Sequence, residues 1–267
     1  MSSDDPVRVF QQFSTVDQLS GGRAEIMVGR GSFIESFPLF GFDLHDYDEL
    51  FEEKLNMLLA LNKSERISWK GKFTQELNDA GIFPRPFQKE IPVWQAVGGT
   101  PESAVRAGKL GLPMALAIIG GMPKQFVPFI QLYRNTWKEY NPGKNFQLGI
   151  NSHTYITDDS QKAGDEFFPA YTSVMSRIGK ERGWQPMSRE QFDYMRTPQG
   201  SLLVGSPKEV AEKILYEHEL FGNTRFLAQM SLGTIAHRNV LKSMELFATK
   251  VIPEVKNALG KKNVVTS

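Results

Sequence analysis

The sequence predicts an α/β protein built on a parallel sheet. Short apolar runs alternate with amphipathic helical stretches along most of the chain. Each run is apolar along its whole length, as strands covered on both faces are. Glycine-rich turns carrying helix-capping residues join run to helix.

The chain opens on a helix: Asp5 is a natural N-cap, Pro6 suits the first helical position, and Val9, Phe10, Phe13 and Leu19 recur at helical spacing until Gly21-Gly22. Residues 24–28 (AEIMV) read as a short buried strand closed by Gly29-Arg30-Gly31-Ser32. A long helix is expected over 46–61, with Tyr47, Leu50, Phe51, Leu55, Leu58 and Leu59 on one face and Asp48, Glu49, Glu52 and Glu53 on the other. Residues 62–90 read as an irregular excursion with room for a hairpin. Strand 92–97 then leads to helix 101–110, strand 114–119 to helix 124–140, and strand 146–156 to a helical stretch near 160–182. A loop-rich piece with Pro186, Pro198 and Gly200 precedes a helix at 207–221, a strand at 225–230 and a last helix near 237–258. Five strands are expected in all, within one domain spanning 1–267, since no linker or low-complexity stretch divides the chain.

Composition narrows the function. Of the 267 residues 40% are hydrophobic and 23% charged, and 31 Lys and Arg against 30 Asp and Glu leave a net charge of +1. Neither a nucleic acid nor a membrane is expected as a partner. The absence of cysteine excludes disulfides, thiolate catalysis and Cys-ligated metal, and fits a cytoplasmic protein. No run approaches the ~18 apolar residues of a membrane span, and MSSDDP has no basic or apolar leader character. His45, His153, His218 and His237 are scattered without metal-ligand spacing, so no metal is expected. His153 falls on the strand at 146–156, where it could face a barrel interior, whereas His218 and His237 read as surface residues. No nucleophile elbow or Ser/His/Asp set is present, and the catalytic residues stay unassigned.

Three strand-to-helix junctions share one chemistry: Gly31-Ser32-Phe33-Ile34-Glu35, Gly99-Thr100-Pro101-Glu102 and Gly205-Ser206-Pro207-Lys208-Glu209. Ser206 with Glu209 matches a capping box, and Thr100 with Pro101 an N-cap followed by a first-turn proline. A helix N-terminus presents unpaired N–H groups and the positive end of the macrodipole, and glycine lets a phosphate approach the backbone. Such caps are also common in α/β folds that bind nothing at them. Gly98-Gly99-Thr100, with Ser103 one turn on, and Arg30 between two glycines are the stronger phosphate candidates; Gly205-Ser206-Pro207 is the weaker. No P-loop and no G-x-G-x-x-G after a strand occurs.

The chain resembles the luciferase-like monooxygenase family over nearly its whole length, in order. The matching stretches are SSDDPVRVFQQFSTVDQLSGGRAEIMVGRGSF (2–33), FPLFGFDLHDYDELFEEKL (37–55), VGGTPESAVRAGKLGLPMALAIIGG (97–121), LVGSPKEVAEKIL (203–215) and HELFGNTRFLAQMSLG (218–233). The resemblance implies a (β/α)8 TIM barrel and a flavin-dependent oxidoreductase, using reduced FMN from a separate reductase and O₂ to oxygenate a small organic substrate. A deazaflavin is the alternative cofactor. By the same resemblance Arg30 falls near the flavin phosphate, and Gly98, Gly99, Thr100 and Ser103 fall on the loop and helix start that hold it.

Relative to the family pattern the chain lacks three N-terminal βα units. It is therefore expected to be an incomplete barrel whose exposed sheet edges favour association, as a homo-oligomer or an aggregate. The alternatives to a working monooxygenase are a non-catalytic flavin- or deazaflavin-binding protein and an inactive truncated fragment.

Overall fold

The fold is described from a computed structural model covering residues 1–31, 35–183 and 185–265, with side chains for all of these except 181, 182 and 261–265. The chain divides into two compact units, Met1–Ala96 and Val97–Ser267.

In the first unit helix α1 (Pro6–Ser20) begins as its sequence requires, with the Asp5 carboxylate accepting from the Arg8 N–H, and ends at Gly21 with φ 65°. Its buried face differs from the expected stripe. Phe10, Ser14 and Asp17 are buried, while Leu19 is 84% exposed. The cause is Asp17, whose carboxylate turns inward to accept from the backbone N–H of Ala24 (3.2 Å) and Gln88 (2.8 Å) and from the Gln88 amide (2.8 Å). Burial alone would raise its pKa, but these donors outweigh it and hold it below the usual carboxylate value.

Strand β1 (Ile26–Val28) follows, and residues 32–34 of the junction after it lie outside the described residues. One unforeseen helical turn, α2 (Ser36–Leu39), leads to α3 (Tyr47–Lys63), which buries Leu50, Phe51, Leu55 and Leu58 as expected. The excursion holds an antiparallel hairpin, β2 (Arg66–Trp69) with β3 (Leu77–Gly81). Glu53 of α3 pins its turn, accepting from the N–H groups of Lys72 (2.7 Å) and Phe73 (2.9 Å) and from the Thr74 hydroxyl (2.7 Å). Strand β4 (Val93–Val97) runs parallel to β1, Ile26 opposite Val93 and Met27 opposite Trp94.

In the second unit α4 (Pro101–Leu110), β5 (Met114–Ile118) and α5 (Val127–Tyr140) precede β6 (Leu148–Ile156), on which the sheet is organised. The rest comprises α6 (Ser160–Arg182), α7 (Arg189–Arg196), β7 (Leu203–Gly205), α8 (Pro207–Phe221), β8 (Arg225–Gln229), α9 (His237–Leu246), a π-helical turn at Phe247–Val251 and α10 (Ile252–Val265). β6 pairs in parallel with β5 (Met114 opposite Leu148) and with β8 (Gly149 opposite Arg225). Its last three residues pair in parallel with β7 (Thr154 opposite Leu203). Among the described residues six strands thus take part in parallel pairings against five expected, β7 being the addition. Met114, Leu116, Ile118, Leu148 and Ile150 face the helices, packing with Ala104, Ala107, Ile130, Tyr133 and Trp137. Strand alternation therefore turns Ala115, Ala117, Gly149, Asn151 and His153 to the opposite face.

Replacing Asp17 with Ala orphans the buried donors that it holds and is expected to cost about 3 kcal/mol in urea unfolding. Because its folded pKa is depressed, the contribution is present above the unfolded value and disappears as pH falls through the folded one. The wild-type and D17A stability curves therefore converge in acid.

Candidate functional site

Two of the three glycine junctions are described in full, and they differ in one respect that bears on ligand binding. After β7, Ser206 caps α8 and Glu209, at the third helical position, reaches back. Its carboxylate accepts from the Ser206 N–H (2.7 Å) and hydroxyl (2.8 Å), and the Ser160 hydroxyl donates to its other oxygen (3.0 Å). A Cβ built on Gly205 would lie 2.6 Å from Glu209 Oε2. The helix start is therefore filled by the chain's own anion.

After β4, Gly98, Gly99 and Thr100 lead into α4 with Pro101 at the first position, and the equivalent third position is Ser103. No carboxylate reaches back from there. Among the described residues a Cβ on Gly98 would meet nothing within 4 Å, and one on Gly99 only the Phe126 ring at 3.7 Å. Gly99 has φ 112°, which glycine tolerates and L side chains rarely do. Thr100 sits at the N-cap with extended backbone (φ −82°, ψ 120°) and its hydroxyl does not cap the helix, while Ser103 is buried. An open glycine face meets a ten-residue helix at its positive end.

Gly98, Gly99, Thr100 and Ser103 thus share one junction. Arg30 belongs to the first unit, just past the end of β1. Its guanidinium donates to Asp48 Oδ1 (2.6 Å) and lies 5.1 Å from the Tyr47 ring centroid. The Gly31 carbonyl accepts from the Tyr47 hydroxyl (2.7 Å).

His153 lies, as expected, on the face of β6 turned away from α4 and α5, but Tyr171 of α6 covers it edge-on, ring centroids 5.6 Å apart. It is 2% exposed, its Nδ1 has no hydrogen-bond partner, and burial pushes its pKa down to about 4. Near neutral pH it is therefore uncharged.

The sequence reading missed a buried pair on α8. Lys213 donates to the Leu202 carbonyl and reaches the last-turn carbonyls of α7, Met195 and Arg196, both at 3.5 Å. Burial lowers its pKa to about 7. One turn on, Glu217 is 1% exposed, and among the described residues neither carboxylate oxygen has a hydrogen-bond partner of good geometry, Ser152 being the nearest donor. Burial raises it to about 8, against the pull of Lys213 and Ser152. The signal was in the register: Val210, Lys213, Ile214, Glu217 and Phe221 share one helical face.

Parallel strands covered by helices that follow them in alternation define the class of α/β barrel folds. The model of the luciferase-like monooxygenase family matches residues 2–224, and the chain belongs to that family. Over 94% of its length it is 25% identical to the alkanal monooxygenase alpha chain of Aliivibrio fischeri and covers 76% of that protein. The monooxygenase RslO1 of Streptomyces bottropensis superposes with a TM-score of 0.79 at 22% identity, over 94% of this chain and 75% of that one. The oxygenating constituent of 3,6-diketocamphane monooxygenase from Pseudomonas putida, solved with FMN, gives 0.67 at 16% identity over 95% and 77%. An F420-dependent secondary alcohol dehydrogenase, solved with an F420-acetone adduct, gives 0.71 at 18% over 94% and 75%. The fold is that of the luciferase-like TIM-barrel oxidoreductases, incomplete, and the chain spans about three quarters of the length of each of these proteins. Among the described residues no helix is long and apolar enough to cross a membrane, and no cluster of metal-binding side chains occurs.

Because the folded pKa of Glu217 is raised, its contribution is complete below the unfolded value of 4.5 and is lost as pH rises toward about 8. Glu217→Gln has no such loss. Its stability relative to the wild type, read as Tm from pH 5 to 8, is expected to rise with pH by at most about 1.4 kcal/mol per unit.

Proposed function

We propose that this protein is an FMN-dependent monooxygenase of the luciferase type, acting on a small organic substrate. In this reading Gly98, Gly99, Thr100 and Ser103 hold the cofactor phosphate. The observation that carries it is the open cradle at Gly98-Gly99, set against the equivalent junction at Gly205 that Glu209 fills. The phosphate would receive N–H groups and the helix dipole, and Thr100 and Ser103 would add hydroxyls. By the family resemblance Arg30 is a further candidate for the cofactor phosphate; within its own unit Asp48 holds part of its donor fork and Tyr47 packs against its plane.

Reduced FMN, delivered by a separate reductase, supplies the activation of O₂ for transfer of one oxygen atom to the substrate. The chain's own part would be to fix the cofactor by its phosphate and to present the strand face that carries Ala115, Ala117, Asn151 and His153. Ala115 and Ala117, on the face of β5 turned from the helices, keep that surface free of bulky side chains. We place the protein in the cytoplasm, as one domain over 1–267 that self-associates.

A second reading, a non-catalytic flavin- or deazaflavin-binding protein, draws on His153, which is neutral and covered by Tyr171. Oxygen uptake with reduced FMN separates the two readings.

FMN is expected to bind at least tenfold more tightly than riboflavin in fluorescence titrations, and Arg30→Ala to weaken FMN more than riboflavin. Equal curves for the two flavins count against the phosphate site. Ser103→Glu copies the Glu209 arrangement into α4. It is expected to reduce FMN binding about tenfold or more and riboflavin binding less, because the new carboxylate repels the phosphate, with some loss of Tm because Ser103 is buried.

A further inference from the structure

A line of stacked rings crosses the second unit between α6 and β6. Helix α6 places Phe167 and Tyr171 one turn apart on its buried face, and β6 sets Tyr155 beside them. Tyr171 stacks on Phe167 with ring centroids 5.7 Å apart and planes at 26°, and Phe167 stacks on Tyr155 at 5.5 Å and 25°. Both separations are those of offset-stacked rings in contact. Tyr155 and Tyr171 are 1% exposed and Phe167 0%.

The two tyrosines differ in what their hydroxyls meet. Tyr155 donates to Glu166 Oε2 at 2.5 Å, the length of a strong bond to a carboxylate. Asn239 Nδ2 donates to the same oxygen (3.4 Å), and Lys162 Nζ lies 4.0 Å from the other. The Tyr171 hydroxyl is buried with its ring and has no hydrogen-bond partner among the described residues. Tyr47 and Tyr133 donate to backbone carbonyls. Among the described residues Tyr155 is thus the one tyrosine whose proton has a carboxylate to go to.

Burial, and then the neighbouring carboxylate, push the Tyr155 pKa up, so the phenol keeps its proton as long as it keeps its electrons. Loss of an electron reverses that preference, because an oxidised phenol is a strong acid. The proton also has a way out. Glu166 is 31% exposed and, with Tyr155, lines a cavity of about 330 Å³ between α6 and α9. Asp158, Asp159, Lys162 and Lys242 also line it, which makes it polar and roomy enough for water.

We propose that Tyr155 and Glu166 form a redox-active pair fed through the stacked rings of Tyr171 and Phe167. A one-electron oxidant takes an electron from the Tyr155 ring, and the phenolic proton passes along the existing hydrogen bond to Glu166 Oε2. The products are a neutral tyrosyl radical, a glutamic acid and the reduced oxidant. An oxidised Tyr171, having no base beside it, takes an electron from Tyr155 through Phe167. One electron from a small reductant such as ascorbate, with the proton returned by Glu166, restores the pair. The pair is independent of the cofactor reading, since it shares no residue with the Gly98 junction.

The test uses the full chain without flavin. Photogenerated tris-bipyridine ruthenium in its trivalent state serves as the oxidant, and transient absorption and electron paramagnetic resonance follow the tyrosyl radical. The wild type is expected to give a radical that outlives that of free tyrosine and that forms more slowly in deuterated water. Tyr155→Phe keeps the ring and the stack, and is expected to remove the long-lived radical. Tyr171→Phe is expected to leave it on Tyr155. Glu166→Gln retains an acceptor for the hydrogen bond but no base. It is expected to slow radical formation about tenfold or more, less than a positioned base usually contributes because cavity water can stand in. It is also expected to abolish the deuterium effect, which a merely structural role of Glu166 would leave unchanged. The proposal is overturned by a wild type without a long-lived radical, or by one that survives Tyr155→Phe. Loss of the radical in Tyr171→Phe alone, or a Glu166→Gln protein with the wild-type rate and deuterium effect, overturns it equally.

Discussion

Strand β6 is the constraint on which the second unit depends. A parallel strand has no tight hairpin partner, so its N–H and C=O groups must be met by strands that return through helices. β6 is nine residues long and is paired by β5, β8 and β7 along different parts of its length. The crossovers α5, α6 and α8 follow from that requirement. They determine which face of β6 is dry: Leu148 and Ile150 meet the aromatic cluster of Tyr133, Trp137 and Phe146. The alternate positions Asn151 and His153 are left for the other face. β8 stops pairing at His153 and β7 begins at Thr154, so the short strand pairs the end of β6 that β8 does not reach.

Buried polar groups show where this economy holds and where it does not. In the first unit they act as staples. Asn62 accepts from the Ile91 N–H (3.0 Å) and donates to its carbonyl (2.8 Å), standing in for a strand partner. Lys54 donates to the Ser2 carbonyl (2.6 Å) over the Phe42 ring. Asn62 thus exchanges water for backbone partners at little net cost, whereas Lys54 has one backbone acceptor and burial holds its pKa below the usual lysine value. Glu217 and Asn223 Oδ1 in the second unit lack that replacement. Such groups lower stability, and their retention is the physical reason to look for a function at them.

Much of the fold was legible because caps and periods agree. Asp5-Pro6, Thr100-Pro101 and Ser206-Pro207 mark helix starts within a residue of those observed, and Gly21, Gly111 and Gly222 mark ends at positive φ. What was missed has a physical explanation in each case. β7 has only three residues, too few for any period to register, and is defined by its pairing with β6. α7 was hidden among prolines, although Ser188 and Gln191 form a capping box around its start. Leu19 was assigned to the core because apolar spacing carries no information about Asp17, which takes the inward position to satisfy a loop. The π-helical turn is a packing outcome and leaves no local mark in Phe247–Val251.

The candidate site was legible as residue types and not as a choice between junctions. Gly-Ser-Pro and Gly-Thr-Pro read alike, and a capping box can be recognised from sequence at the first. Only geometry shows the consequence: Glu209 brings a carboxylate to within 2.6 Å of a Cβ built on Gly205, while a Cβ on Gly98 would meet none of the described residues within 4 Å. One residue at the third helical position, glutamate in α8 and serine in α4, decides whether the positive helix end is neutralised from within or left for an external anion. A glutamate there stabilises the helix at once, whereas a serine keeps the end available. In the proposed reading the start of α4 forgoes local stability that a bound anion would restore. Ligand binding would then couple to the stability of the β4–α4 junction, since a phosphate bound there would stabilise the folded state by mass action.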